Sequence, residues 1–495
     1  MDLIVQIGEL LQWNLLLLMV GSVLFGLIIG ILPGLGGSVA LALLIPLTFS
    51  LSPEAAIVVL LTAYGASNFG GSLTSILINT PGDAANAATT FDGYPLAKQG
   101  KGRMAISAAM FASAMGGFIG LIVLYLLIPV ARELVLAFSY PDFFMLAVCG
   151  LLIIAFVTQG NTYRGVVSAL AGLLLAFVGT DPIYGAERYV FNVNYLLDGI
   201  SLLAVIIGLF AVTEAFTLFA NNKAIASDVE VKKDGSLEGI VAVCKHFGLF
   251  LRSCAIGIII GIIPGVGGTV SSYMAYGTAV QLSKNPEKFG KGAIEGVIAV
   301  EASNDAKEGG ALLPTLAFGI PGSAAMAVLI GGLMFHGLAP GPSMLTNDLD
   351  LTYFLIAAAI LGKVIAMIIG LFLGPRLVFV TKIRGSLMAP GIIAISLLGA
   401  YGVEGKYGDV IVALLFGVFG FYMQKYGYSR IGLIIALVLG KMLESTYHQS
   451  VTTFGYSGFF TRPISLMLLF ISILMFFWPS IRKAIKNRKK GGRQA

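Results

Sequence analysis

Apolar runs close to 20 residues alternate with short polar turns along nearly the whole chain, and about 20 residues are needed to cross a hydrocarbon layer roughly 30 Å thick. In the first half they fall at 15–32, 34–51, 56–79, 104–130, 141–158, 165–180 and 196–219. In the second half they fall at 248–263, 266–282, 293–319, 323–338, 351–373, 387–401, 408–424, 430–443 and 464–479. Some are too short or too interrupted by Gly and Pro to span. The pattern therefore predicts an all-α polytopic membrane protein with about twelve crossings and added re-entrant hairpins. The longest polar stretch, 221–245, holds Lys232, Lys233 and Asp234. It reads as a cytoplasmic linker between a first membrane repeat, 1–220, and a second, 246–480, with a cytoplasmic tail at 481–495.

The two halves repeat one another. Gly30-Ile31-Leu32-Pro33-Gly34-Leu35-Gly36-Gly37-Ser38 recurs as Gly261-Ile262-Ile263-Pro264-Gly265-Val266-Gly267-Gly268-Thr269. Ala66-Ser67-Asn68 recurs as Ala302-Ser303-Asn304, and Gly70-Gly71 as Gly309-Gly310. Thr80-Pro81-Gly82-Asp83 recurs as Ile320-Pro321-Gly322-Ser323. The offset drifts from 231 through 236 and 239 to 240, as small insertions between two copies would produce.

Charge then orients the copies. The loop at 50–55 carries only Glu54, whereas its counterpart at 283–291 carries Lys284, Lys288 and Lys291 against Glu287. After the Pro-Gly motif the bias reverses: 92–103 holds Lys98, Lys101 and Arg103, and 336–350 holds Asp348 and Asp350 with no Lys or Arg. Since basic loops stay in the cytoplasm, the copies should lie upside down to one another, the signature of many secondary transporters.

Composition agrees and narrows the classes. Hydrophobic residues make up 57% and charged residues 11%, too few charges to cover a soluble body of 495 residues. The net charge of +6 is no nucleic-acid signal. Seven of the 31 basic residues lie in the last fourteen positions, which leaves 24 against 25 acids elsewhere. This tail places the C-terminus in the cytoplasm. Met1-Asp2-Leu3 lacks the positive start of a cleaved signal peptide, so the first span should be retained. Cys149, Cys244 and Cys254 have no CxxC spacing, and His246, His336 and His448 are far apart, so no zinc pattern exists.

Pro-Gly clusters at membrane depth must be buried or line a cavity, because backbone groups cannot stay unpaired in lipid. Pro33, Gly34, Gly36 and Gly37, and their counterparts Pro264, Gly265, Gly267 and Gly268, read as broken helices or hinges. Helices that restart after such breaks aim their N-terminal amides inward, which suits a carboxylate. The anion cradle is therefore expected around Asn79, Thr80, Pro81 and Gly82 and around Gly319, Pro321, Gly322 and Ser323. Ser67, Asn68, Ser303 and Asn304 should stand at the paired turns. The other reading of these clusters is close helix packing through small residues.

Taken together, the Gly-Ile-Leu-Pro-Gly-Leu-Gly-Gly motif, Asn79-Thr80-Pro81-Gly82, Glu301-Ala302-Ser303-Asn304-Asp305-Ala306 and Gly319-Ile320-Pro321-Gly322-Ser323 resemble the large permease subunit of tripartite tricarboxylate transporters, the TctA family. The resemblance covers nearly the whole chain. It implies a bacterial inner-membrane carrier, working with a small TctB-like membrane subunit and a TctC-like periplasmic substrate-binding protein. It implies carboxylate substrates such as citrate and an ion gradient as driving force, with Na+ or H+ as coupling ion and no other cofactor. An elevator-like form of alternating access is expected. The chain departs from the family pattern at Asn304-Asp305, where Asn-Asn is expected, which adds an acid to the coupling motif.

Glu301, Asp305, Lys307 and Glu308 crowd one apolar stretch, where ionisable groups are costly. They read as a self-neutralising ion-pair cluster, as a cation or proton site, or as an interfacial loop. On the second reading Glu301, Asn304 and Asp305 couple the ion, with a Na+ near Asn68, Asn304 and Asp305. Lys363, mid-span, pairs with a buried acid or faces the substrate. No phosphate loop, GxSxG or HExxH appears, so the chain reads as a non-enzyme. The rival functions are an anion channel and a carboxylate exchanger working without a binding protein.

Overall fold

The sequence around Pro53 sets up its own helix. Ser52 accepts a hydrogen bond from the Ala55 N–H at 3.3 Å, Pro53 occupies the first turn, and Glu54 faces the positive helix end. The helix runs to Ile78 and stops where Asn79 turns left-handed at φ 56°. Helices of this kind form nearly all of the computed structural model, which describes residues 2–32, 34–157, 162–181, 183–220, 236–377, 380 and 385–474. Pro33, residues 221–235 of the expected linker and the 481–495 tail lie outside the described residues.

In chain order the first helices are α1 (Asp2–Leu10), α2 (Trp13–Ile31), α3 (Gly37–Leu44), α4 (Pro53–Ile78), α5 (Thr90–Leu96) and α6 (Gly102–Ala137). Next come α7 (Tyr140–Val157), α8 (Thr162–Ala176), α9 (Leu202–Ile206) and α10 (Thr213–Ala220). The second half opens with α11 (Ser236–Lys245), α12 (Phe247–Ile262), α13 (Gly267–Gln281), α14 (Ile294–Phe318), α15 (Ala324–Phe335), α16 (Pro342–Thr346) and α17 (Leu349–Phe372). It closes with α18 (Gly374–Leu377), α19 (Gly385–Glu404), α20 (Tyr407–Lys425), α21 (Arg430–Phe454) and α22 (Gly458–Thr461). Two two-residue strands, Gly179–Thr180 and Glu187–Arg188, pair antiparallel.

Among the described residues eight helices are long and apolar enough to span, or nine if α11 and α12, bent by 79°, make one crossing. That is fewer than the twelve expected, because breaks split several apolar runs into helices of 10–17 residues, Gly37–Thr48 and Ala324–Phe335 among them. The last ten residues of the expected linker are helical, as α11. Packing divides the chain into two compact units, Met1–Arg132 with Ser201–Lys425, and Glu133–Ile200 with Tyr426–Ala495. The first contains both copies of the repeated motifs.

Within this unit the motifs adopt matched geometry. The Gly34 N–H donates to the Gly82 carbonyl at 3.0 Å, and the Gly265 N–H to the Gly322 carbonyl at 3.1 Å. Helix α4 ends in left-handed Asn79 and α14 in left-handed Gly319, φ 67°. Close backbone approaches fix the register. A side chain at Gly26 would strike the Ala63 backbone, and one at Gly257 the Ser303 backbone. Gly30 abuts Ser67 as Gly261 abuts Lys307, and Gly70 abuts Leu27 as Gly310 abuts Ile258.

A shift of 231 thus relates α2 to α12, and a constant 240 relates α4 to α14. The sequence match of Ala66-Ser67-Asn68 to Ala302-Ser303-Asn304 is one helical turn out of register. A helix built of small residues presents much the same face one turn away, so sequence alone slips there. The structural counterparts are Tyr64 and Asn304, Ser67 and Lys307, and Asn68 and Glu308.

The copies also run in opposite directions. Past the break the chain resumes the direction of α4, with Gly82 against Gly71, Gly93 against Ile76 and Gly102 near Leu77. The loop before α4 and the loop after α5 therefore lie at opposite ends of the first copy. Thr48, before α4, meets His336 at 2.9 Å, beyond the break of the second copy. At the other end Gln99 donates to the Lys291 carbonyl at 2.7 Å, and Asp92 accepts from the Gly292 and Ala293 amides that open α14. Each copy's leading loop meets the other's trailing loop. Side chains at Gly116 and Gly362 would likewise strike Ala302 and Thr62, residues that are themselves equivalent, so α6 packs on α14 as α17 packs on α4. Reciprocal contacts of this kind define a two-fold relation.

Candidate functional site

Helix α14 carries Glu301, Ser303, Asn304, Asp305, Lys307 and Glu308, none more than 5% exposed. Charges survive such burial only when partnered. The carboxylate of Glu301 is held by three hydroxyls of the first copy: Thr89 at 2.5 Å, Ser72 at 2.7 Å and Ser113 at 2.8 Å. Asn86 supports this cage by donating to the Ser72 hydroxyl at 3.0 Å and to the Asn68 carbonyl at 3.3 Å.

One turn further on, Lys363 of α17 reaches back into the bundle. Its ammonium pairs with Asp305 and, at 2.8 Å, with Glu308. It also lies 5.5 Å from the centre of the Phe69 ring. Asn68 donates to Glu308 at 2.5 Å and lies 3.5 Å from the bonded oxygen of Asp305. The small residues Gly65 and Gly117 make room for the Lys363 stem. Lys363 thus pairs with buried acids, one of its two sequence readings. Three carboxylates face two ammonium groups in this region.

A second group gathers at the broken helices. Tyr64 receives a long 3.4 Å contact from the Lys307 ammonium and bonds the Ser323 side chain. The Lys307 stem and Asn304 Oδ1 both lie against Gly268 in the first turn of α13. Both amide atoms of Asn304, the Ser303 hydroxyl, the Ser272 hydroxyl and one oxygen of Asp305 are fully buried and lack a hydrogen-bond partner among the described residues.

Of the expected cradle, Ser303, Asn304 and Ser323 stand in or beside these two groups, and Asn68 belongs to the ion-pair cluster. Ser67 donates to the Tyr64 carbonyl at 2.7 Å. Asn79 and Thr80 form the turn, with the Thr80 hydroxyl on the Ile78 carbonyl at 3.1 Å, and half-buried Pro81 follows. Pro321 is buried beside Gly322 and Ser323. Gly82 and Gly322 are packing positions: a side chain there would meet Gly30 and Gly71 in one copy and Ala311 in the other. Among the hinge residues, Gly34, Gly265 and Gly267 have positive φ of 84°, 76° and 71°, and Gly36, Gly37 and Gly268 are buried where the helices restart. Pro264 precedes the second break and is half-buried. Sequence reasoning missed Tyr64, Ser72, Asn86, Thr89 and Ser113. Hydroxyls and single aromatics in apolar helices give no signal until the fold brings them to an acid.

In the second compact unit Asp181, Glu444 and His448 come within 4.8 Å of one another. Arg188 bridges Asp181 at 3.4 Å and Glu444 at 2.5 Å, so an internal cation already fills the position a metal would take. A cavity of about 550 Å³ nearby is walled mostly by apolar groups such as Phe144, Leu151, Leu173 and Phe177, with Glu444, Tyr447 and His448 also lining it; an acid and no Lys or Arg among these residues do not suit an anion.

Residues 16–435 match the tripartite tricarboxylate transporter TctA family. The chain is similar to an uncharacterized 52.8 kDa protein in the TAR-I ttuC' 3'region of Agrobacterium vitis, with 31% identity over 476 residues and 93% of each chain covered. It is 30% identical over 231 residues to an uncharacterized protein in the TAR-II ttuC' 3'region of the same organism, covering 46% of this chain and 96% of the relative. No solved structure matches.

Proposed function

Because this chain belongs to the tripartite tricarboxylate transporter TctA family, and is thus a transporter permease, we propose that it imports di- or tricarboxylate anions such as citrate across the bacterial inner membrane. It works as a secondary carrier driven by a Na+ or H+ gradient. The tripartite system implies a small TctB-like membrane subunit, and a TctC-like periplasmic protein delivers the substrate.

The observation that carries this reading is the reciprocal packing of two oppositely directed copies around buried charged groups. Two copies packed this way have two quasi-equivalent arrangements, and exchanging them opens a central site to one side and then the other. The elevator-like form is our reading of that exchange. A cation is suited to the surplus negative charge of Glu301, Asp305 and Glu308 over Lys307 and Lys363. Its place is beside the unpartnered oxygen of Asp305, with Asn304 and Glu301 near, and binding there ties the ion to the anion by mutual neutralisation.

The test is uptake of labelled citrate by proteoliposomes holding the chain and its two partners, with Na+ or H+ gradients imposed singly. Saturable, gradient-dependent uptake with counterflow is expected. Gated unitary currents would replace the carrier by an anion channel. Uptake indifferent to the binding protein and to any gradient would make it a free-standing carboxylate exchanger.

A further inference from the structure

The two copies share their breaks but differ in charge where the helices restart, and there the backbone differs too: Gly36 is extended at φ −73° and Gly267 left-handed at φ 71°. Helix α3 begins at Gly36 and Gly37, and α13 at Gly267 and Gly268; neither start has a side-chain cap. In the first copy the Asp83 carboxylate lies against Gly36, so that helix end carries an internal anion. Its counterpart in the second copy is neutral Ser323. There, a side chain built on Gly267 would find no atom within 4 Å. One helix start thus has a carboxylate beside it, and the other has open space beside Gly267.

The groups around that space suit an anion. Lys307, 5% exposed, replaces the Ser67 of the first copy, and its stem lies against Gly268. Among the described residues no carboxylate lies within ion-pair distance of its ammonium, whose hydrogen-bond partner is the Tyr64 hydroxyl at 3.4 Å. The oxygens of neighbouring Glu308 are held by Asn68 and Lys363. Asn304, fully buried, has both amide atoms unpartnered, and its Oδ1 lies 2.7 Å from where a Gly268 side chain would begin. A buried cation whose one hydrogen bond is a long contact with a tyrosine hydroxyl, and a buried amide with no partner among the described residues, are costly beside an uncapped helix start unless a ligand completes them.

We infer that a carboxylate of the transported anion binds at the α13 N-terminus beside Gly267 and Gly268, with Lys307 as its fixed cation and Asn304 as a hydrogen-bonding partner. In the first copy, where Ser67 and Tyr64 stand in place of Lys307 and Asn304, the Asp83 carboxylate lies beside the corresponding helix start and accepts from the Ala84 N–H. The inference rests on the carboxylate-carrier reading and adds to it a specificity-determining residue, Lys307. A single lysine beside neutral dipoles binds an anion reversibly, where a bidentate arginine would hold it more tightly.

The test uses the purified full-length chain in nanodiscs, with citrate as probe, by titration calorimetry and thermal unfolding. Citrate should bind the wild-type chain and raise its Tm. Lys307→Gln should weaken citrate binding about tenfold or more, and Lys307→Arg should stay much closer to wild type. Without citrate, Lys307→Gln should change the Tm little, because the ammonium has no carboxylate within ion-pair distance among the described residues and one long hydrogen bond to Tyr64. Asn304→Ala should weaken citrate binding with no loss of apo stability, and it decides the matter if Lys307→Gln does not fold. Unchanged citrate affinity in either variant would overturn the inference, as would a lowered apo Tm with binding retained. A wild-type chain that binds neither citrate nor another di- or tricarboxylate would instead overturn the carrier reading beneath it.

Discussion

Asn68 and Glu308 are counterparts in the two copies, and they are hydrogen-bonded to each other at 2.5 Å. Two equivalent residues can touch in this way only near the axis that relates the copies. The pair therefore marks the centre of the two-fold, and Lys363 packs there too, against its own counterpart Gly117. At this centre the copies have diverged most in charge: an amide faces an acid, and a glycine faces a lysine.

Lys363→Met would leave Asp305 and Glu308 buried without their shared cation. Removing one partner of such a group costs about 3–5 kcal/mol, so a large fall in Tm is expected in thermal unfolding of the purified protein. Adding Asp305→Asn and Glu308→Gln to the same chain should recover most of the loss.

Asp305→Asn alone leaves Lys363 paired with Glu308, so protein abundance should change little. If Asp305 takes part in ion coupling, the Na+ or pH activation curve of uptake should shift. An unchanged curve with normal transport would leave Asp305 as an ion-pair partner of Lys363 only.

Glu301→Ala removes the acceptor of three hydroxyls at once and should destabilise more than Glu301→Gln. Ser113→Ala removes one hydrogen bond to a charged group, worth roughly 1.5–3 kcal/mol. Comparing the Tm of the three variants checks the order Glu301→Ala, then Ser113→Ala, with Glu301→Gln least severe if the hydroxyls rotate to meet the amide.

Gly82→Val and Gly322→Val should both lower the yield of folded protein, since each side chain would enter backbone of a neighbouring segment. Gly116→Val and Gly362→Val should behave as a second matched pair. Size-exclusion profiles of the four variants check this, and folded but inactive Gly82→Val would return that residue to the cradle.

In the second unit, N–H groups of Tyr184 and Ile183, with Arg188 nearby, hold the Asp181 carboxyl below its usual range. A carboxyl lowered by folding stabilises above its unfolded value of about 4 and loses this as pH falls through the lowered value. The Tm advantage of wild type over Asp181→Asn should therefore be present at neutral pH and shrink below about pH 4. A constant difference across that range would contradict it.

Much of this was legible from residues alone. The broken helices at Gly34 and Gly265 and the opposed loop charges at Lys98–Arg103 and Lys284–Lys291 carried the repeat and its inversion, because Pro-Gly breaks and charge bias are local signals. Register was not legible: the match of Asn68 to Asn304 slipped by a turn, since small-residue helices look alike from turn to turn. Against about twelve crossings expected, eight or nine helices among the described residues are long enough to span, because a broken apolar run and a spanning one have the same composition. The partners of Glu301 and Lys307 depend on contacts between residues far apart in the sequence, which no local pattern records.

Two copies running in opposite directions place Glu54 and Ala339 on one side and Lys101 and Lys288 on the other, and sidedness measures that directly. On a chain with Cys149, Cys244 and Cys254 replaced by Ser, single cysteines are placed at Glu54, Lys101, Lys288 and Ala339. Intact cells are then treated with an impermeant maleimide. Labelling of Glu54→Cys and Ala339→Cys, with Lys101→Cys and Lys288→Cys protected until the cells are opened, is the expected result. Labelling of Lys101→Cys or Lys288→Cys from outside, or of Glu54→Cys and Ala339→Cys from opposite sides, would contradict it.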